Sequence, residues 1–158
     1  MANKDDIALM AHLLRRAGFG AGRDELEARV AKGYDATVEE LLNPESQPPV
    51  DPYTLLRHQP AALLPGGQPP MGNVNYMYYL VNTQRPLQEK MALFWHSVFA
   101  TGNSKVDNYD QLLEQIELFR NQGMANYRDL LLSIAKNPTM LFWLDNNQNH
   151  GTAVNENW

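Results

Sequence analysis

At 158 residues the chain has the length of one ordinary domain with a real core, and its 44% hydrophobic and 20% charged residues exclude a wholly disordered polymer. The formal net charge of −5 excludes a dedicated phosphate-backbone binder, because nucleic-acid affinity comes mainly from clustered Lys and Arg. The absence of cysteine excludes disulfides, thiolate zinc sites and cysteine nucleophiles. No run is long and apolar enough to span a bilayer; the best one, Met91 to Trp95, stops at His96. Met1 to Asp6 holds one Lys and two Asp, and the chain then reaches Arg15 and Arg16 without a secretory apolar core, which points to the cytoplasm.

Ile7, Met10, Leu13 and Leu14 recur at helical spacing, with Asp5 and Asp6 at the end where a helix dipole favours negative charge. Gly18 to Gly22 stops this helix. A second carries Leu26 and Val30 on one face and ends at Gly33, and a third runs from Thr37 to Leu42 before Asn43-Pro44. Between Pro44 and Pro70 stand eight prolines, which rule out long regular structure and leave only Tyr53 to Gln59 for a turn or two of helix. A loop of this length is either functional or a surface wrap.

Helices resume at Asn73, where Val74, Met77, Tyr78 and Val81 form an apolar stripe. The helix from Pro86 to Ala100 has proline in its first turn and Leu87, Met91, Phe94 and Val98 on one predicted core face. Asp107 to Gln122 repeats the pattern with Leu112, Leu113, Ile116 and Phe119. Asn126 and Asp129 form a capping arrangement ahead of Leu130, Leu131 and Ile134, and Asn137-Pro138 opens a last short helix through Leu144. No alternating period-two runs call for strands. The prediction is an all-α chain: an irregular bundle of six to eight helices in a single domain over 1–158, with a proline-rich loop at 44–70 and a polar tail at 145–158.

Four phrases occur in order: Ala11-His12-Leu13-Leu14-Arg15-Arg16-Ala17-Gly18-Phe19-Gly20; Glu89-Lys90-Met91 with Phe94-Trp95-His96 and Phe99-Ala100-Thr101; Arg128-Asp129-Leu130-Leu131; and Asn155-Glu156-Asn157-Trp158. Together they resemble the bacterial family catalogued as domain of unknown function 1800, over essentially the whole chain. The resemblance implies that the Asn-Glu-Asn-aromatic phrase runs into a further helix and a C-terminal half, so that the chain is the N-terminal part of a longer protein. It also implies a second His two residues after the first in the Phe-Trp-His phrase, where this sequence has Val98. The resemblance carries no settled activity.

Glu89 and His96 are the first candidates for chemistry. Seven residues are two helical turns, so both leave one face about 10.5 Å apart along the axis. That is too far for joint ligation of one ion, but suits flanking a substrate with His96 carrying a proton. The structural alternative has Glu89 pairing with a neighbouring helix and His96 bonding a buried backbone group. Asp145, Asn147, Asn149 and Glu156 stand at positions 1, 3, 5 and 12 of a calcium-loop-like pattern, flawed by His150 where glycine belongs and by only two carboxylates. The alternative there is asparagine side chains bonding nearby backbone in an irregular turn. Glu156 suits a helix entrance, or an acid beside His96 in a catalytic set of Glu89, His96 and Glu156. Arg15 and Arg16 suit either an anion or an internal ion pair. Tyr76, Tyr78, Tyr79, Phe94, Trp95, Phe142 and Trp143 suit a sugar groove or, more simply, a core.

No nucleophile elbow and no phosphate loop is present. The sequence therefore leads to a helical scaffold or binding segment of a larger bacterial protein, whose partners are its own C-terminal half and a further protein. The rival is part of a hydrolase, with or without a metal, whose site that half completes. Exposed apolar surface is expected on the final helices.

Overall fold

The computed structural model describes residues 3–62 and 69–156. Among them are nine α-helices and three short 3-10 turns, and the only β-type pairing is an isolated bridge between His150 and Ala153. The fold is all-α. The count exceeds the six to eight predicted by one, because the turn or two of helix allowed at Tyr53 to Gln59 forms α4 (Tyr53–His58); α9 (Pro138–Trp143) is the short helix expected after Asn137. No helix of the described residues is long and apolar enough to cross a membrane. The chain divides into two compact units, one of residues 1–50 and 82–90, the other of residues 51–81 and 91–158.

The first unit is built on α1 (Lys4–Ala17), α2 (Arg23–Lys32), α3 (Tyr34–Leu42) and the first turn of α6 (Pro86–Val98). The Asn3 side chain caps α1 by accepting from the Asp5 amide, and Asp5 and Asp6 occupy its first turn. Met10, Leu14 and Leu41 form the core, with Leu26, Val30 and Leu87 against it. α3 begins three residues earlier than predicted. Gly33, at φ 103°, ends α2 and caps α3 at once, a backbone conformation that a side chain would strain. A charged cluster ties α2 to α3: Arg29 reaches Glu25 at 2.9 Å and Glu40 at 2.8 Å, and Lys32 also bonds Glu40.

The glycine-rich phrase after α1 has a packing cause. A Cβ on Gly18 would lie 2.9 Å from the Cβ of Pro86, so only glycine lets the start of α6 approach there. The Lys90 ammonium then donates to the carbonyl oxygens of Arg15 and Gly18, both at 2.6 Å, satisfying groups that the end of α1 leaves open. Arg85 closes the same unit by donating twice to the Gln47 carbonyl.

The second unit contains α4, α5 (Pro69–Asn82), the rest of α6, α7 (Tyr109–Gln122), α8 (Tyr127–Ala135) and α9. α5 starts at Pro69 rather than Asn73, because prolines are tolerated in a first turn, where the amide has no helical partner. Within the proline-rich stretch Asn75 donates to the carbonyl of the fully buried Ala62, and Tyr78 donates its hydroxyl to the Asp51 carbonyl. The core comprises Ala92, Phe119, Leu130, Ile134 and Met140, with Trp95, Phe99, Leu118 and Trp143 packed on it.

The predicted core face of α6 is displaced. Phe94 and Val98 are about half exposed, whereas Glu89 and Ala92 are buried. α6 is apolar on every side over Met91 to Trp95, so periodicity alone does not select a face; packing around the small Ala92 and the anchored Trp95 does. α5 departs likewise, with Met77 and Val81 exposed and Asn75 buried. On α8 and α9, Leu131, Leu132 and Phe142 are exposed.

Candidate functional site

α5, α6 and α7 bring Tyr76, His96 and Phe119 together in the second unit. The His96 ring meets Tyr76 edge-on at a centroid distance of 6.4 Å and Phe119 at a tilt, also at 6.4 Å. Its Nδ1 atom is buried and makes no hydrogen bond with the described residues. Burial also favours the uncharged ring and pushes the His96 pKa below its ordinary value. A neutral imidazole carries one N–H and one lone pair, so it can both donate and accept.

His96 lines a cavity of about 190 Å³. The polar part of the wall comes from Asn73, Tyr76, Thr101 and Asn103, the apolar part from Leu112, Leu113 and Ile116. Gly72 and Tyr109 also face it, and they touch each other: a Cβ on Gly72 would stand 3.0 Å from the Tyr109 ring. Among the described residues no Lys, Arg, Asp or Glu lines the cavity.

The wall is held from behind by a chain of buried polar groups. Thr101 donates its hydroxyl to Gln115 Oε1 at 2.5 Å, and Gln115 Nε2 donates to Asn137 Oδ1 at 3.3 Å. The same Asn137 oxygen accepts the Met140 amide and so caps α9. Gln115 is fully buried, and this pairing meets the cost of placing an amide there.

The sequence-predicted residues distribute as follows. Glu89 is buried in the first unit, 3% exposed, while His96 belongs to the second. Glu156 is exposed near the end of the second unit and does not line the His96 cavity. Asp145, at a left-handed φ of 58°, pairs with Lys105 at 2.7 Å. Asn147 is exposed, and Asn149 accepts the Asn155 amide through Oδ1 at 3.0 Å. Asn155 in turn donates to the Leu144 carbonyl at 2.5 Å, which explains the first asparagine of the Asn-Glu-Asn phrase as a clasp on the end of α9. Asn157 and Trp158 lie outside the described residues. No group of three or more His, Asp or Glu side chains able to hold a metal occurs among the described residues.

Arg15 and Arg16 are exposed, and in the aromatic set Trp95 and Trp143 pack on the core while Phe94 and Phe142 remain exposed. Sequence reasoning missed Asn73, Thr101, Asn103 and Gln115. Only Thr101 carried a signal, because it ends the Phe99-Ala100-Thr101 phrase; the other three sit at positions that periodicity assigns to solvent or to no face.

Residues 12–158 match the family described as a protein of unknown function (DUF1800). No curated protein and no solved structure matches the chain.

Proposed function

The chain belongs to the DUF1800 family of proteins of unknown function, and from that premise we propose that its second unit is a binding module whose recognition site is the cavity around His96. One observation carries this reading: His96, whose buried Nδ1 has no hydrogen-bond partner among the described residues, is one of the side chains that line a cavity with a mixed polar and apolar wall. Native proteins pair almost all buried polar atoms, so an imidazole with an unpaired nitrogen in a cavity wall is a candidate for ligand contact. At about 190 Å³ the cavity has room for a small polar group.

A thermal-shift screen with uncharged polar compounds tests the proposal. A ligand at about one hundred times its Kd adds about 2.7 kcal/mol to stability, which raises Tm by several degrees. At least one compound is expected to do so in the parent chain and not in His96→Phe. A screen in which every shift survives that substitution would overturn the reading.

A second reading keeps His96 as a general acid or base in a hydrolase. What favours it is the uncharged, sequestered imidazole, which is able to take a proton at neutral pH. Neither carboxylate proposed as its partner lines the cavity, which is why binding is placed first. Ester or amide hydrolysis that disappears in a folded His96→Ala variant would reverse the order, and its response to a chelator would report on a metal.

A further inference from the structure

We infer that the cavity takes an uncharged carboxamide, a group with N–H and C=O on one edge and a methyl or methylene on the other. This inference rests on the binding reading above and specifies its ligand class.

Charge is the first discriminator. The cavity wall has no Lys, Arg, Asp or Glu among the described residues and burial favours the uncharged His96 ring, so a bound ion would lose its hydration without gaining a counter-charge at pH 8. Carboxylates, phosphates and ammonium groups are disfavoured on that ground.

Hydrogen-bonding capacity is the second. The neutral imidazole of His96 and the exposed side chains of Asn73 and Asn103 all line the cavity and bring both donors and acceptors to it. Each asparagine amide presents a donor and an acceptor side by side, the pattern complementary to another carboxamide. Thr101 does not compete for that role, since its hydroxyl proton is already committed to Gln115.

Shape is the third. Leu112, Leu113 and Ile116 supply an apolar wall, which rewards a ligand with a methyl group on the side away from its polar edge. An acetamido group meets all three conditions. A simple alcohol meets the first and third but offers a single oxygen.

The test is an NMR titration of the full chain at pH 8 with three small probes: acetamide, acetate and 2-propanol. The signals followed are the His96 ring nitrogens and the methyl groups of Leu112, Leu113 and Ile116. Acetamide is expected to shift both sets saturably, with the weak affinity proper to a four-atom ligand. Acetate has the same shape but carries charge, and should bind at least about tenfold more weakly. The acetamide shifts should vanish in His96→Phe. Asn103 is exposed, so Asn103→Ala should weaken acetamide severalfold without unfolding the chain, and serves if the first variant does not fold.

Acetate or 2-propanol binding as tightly as acetamide overturns the carboxamide assignment and leaves the binding module standing. The absence of a saturable His96 shift with any of the three overturns both.

Discussion

Trp95 donates its indole N–H to the Gly123 carbonyl oxygen at 2.7 Å, and a Cβ on Gly123 would collide with the Phe119 carbonyl oxygen and stand only 2.8 Å from Cδ1 of the same ring. The ring also stacks against Phe99, one turn on, at 5.8 Å and against Tyr127 at 5.6 Å, so the rotation of this part of α6 is fixed by one polar contact, to Gly123, and by packing against Gly123 and Tyr127. That rotation turns Ala92 inward and sets His96 at the cavity. Gly123 has ordinary right-handed backbone angles, and the requirement for glycine there is purely one of space. Gly123→Ala is expected to cost about 1–3 kcal/mol through overpacking, and Trp95→Phe about 1 kcal/mol through the lost hydrogen bond. Urea unfolding followed by far-UV circular dichroism measures both; a neutral Gly123→Ala would show that the ring and the end of α7 both give way freely.

Lys90 holds two carbonyls at the end of α1, at Arg15 and Gly18. Lys90→Met keeps most of the aliphatic stem and removes the charge. The expected loss is about 1.5–3 kcal/mol, the range for hydrogen bonds to a charged donor. Hydrogen exchange should quicken first at the last amides of α1. Uniform exchange changes across both units would contradict a local capping role.

Gln115 links Thr101 to Asn137 inside the second unit. Gln115→Leu preserves approximate volume but strands two polar partners, at about 1–3 kcal/mol for each buried group left unsatisfied. Because Thr101 lines the cavity, the variant should also weaken acetamide binding. A stable variant with unaltered binding would show that the chain of polar groups is incidental.

Two groups give the protein a defined acid response. Burial lowers the His96 pKa below 6.5, so in the window beneath that value the unfolded chain holds more protons than the folded one. Stability therefore falls as pH drops below about 6.5 and is unaffected by His96 above it. Burial opposes charge on Glu40, but hydrogen bonds from Lys32 and Arg29 outweigh it and hold that carboxyl below 4.5. Its contribution is present above 4.5 and is lost as pH falls through the folded value. Unfolding free energy measured from pH 8 to about pH 3 should decline in two stages, the first absent in His96→Gln and the second in Glu40→Gln. A flat profile between pH 6.5 and pH 5 would refute the buried, neutral state of His96.

The sequence by itself determined the helical class, most helix limits and the family. Those features are local: a cap such as Asn126, a first-turn proline such as Pro138 and a 3.6-residue period act over a few neighbouring residues. The same locality explains the reading of the tail, where Asn149 bonds the Asn155 backbone. Only the tertiary structure decided which side of α6 is buried, because a helix that is apolar all round has no preferred face until its partners are present. It also decided that Thr101, Gln115 and Asn137 act as one group and that His96 meets Tyr76 and Phe119. Periodicity states which side chains share a face of one helix; what that face meets depends on chain segments far away in sequence, and the cavity is a property of their meeting.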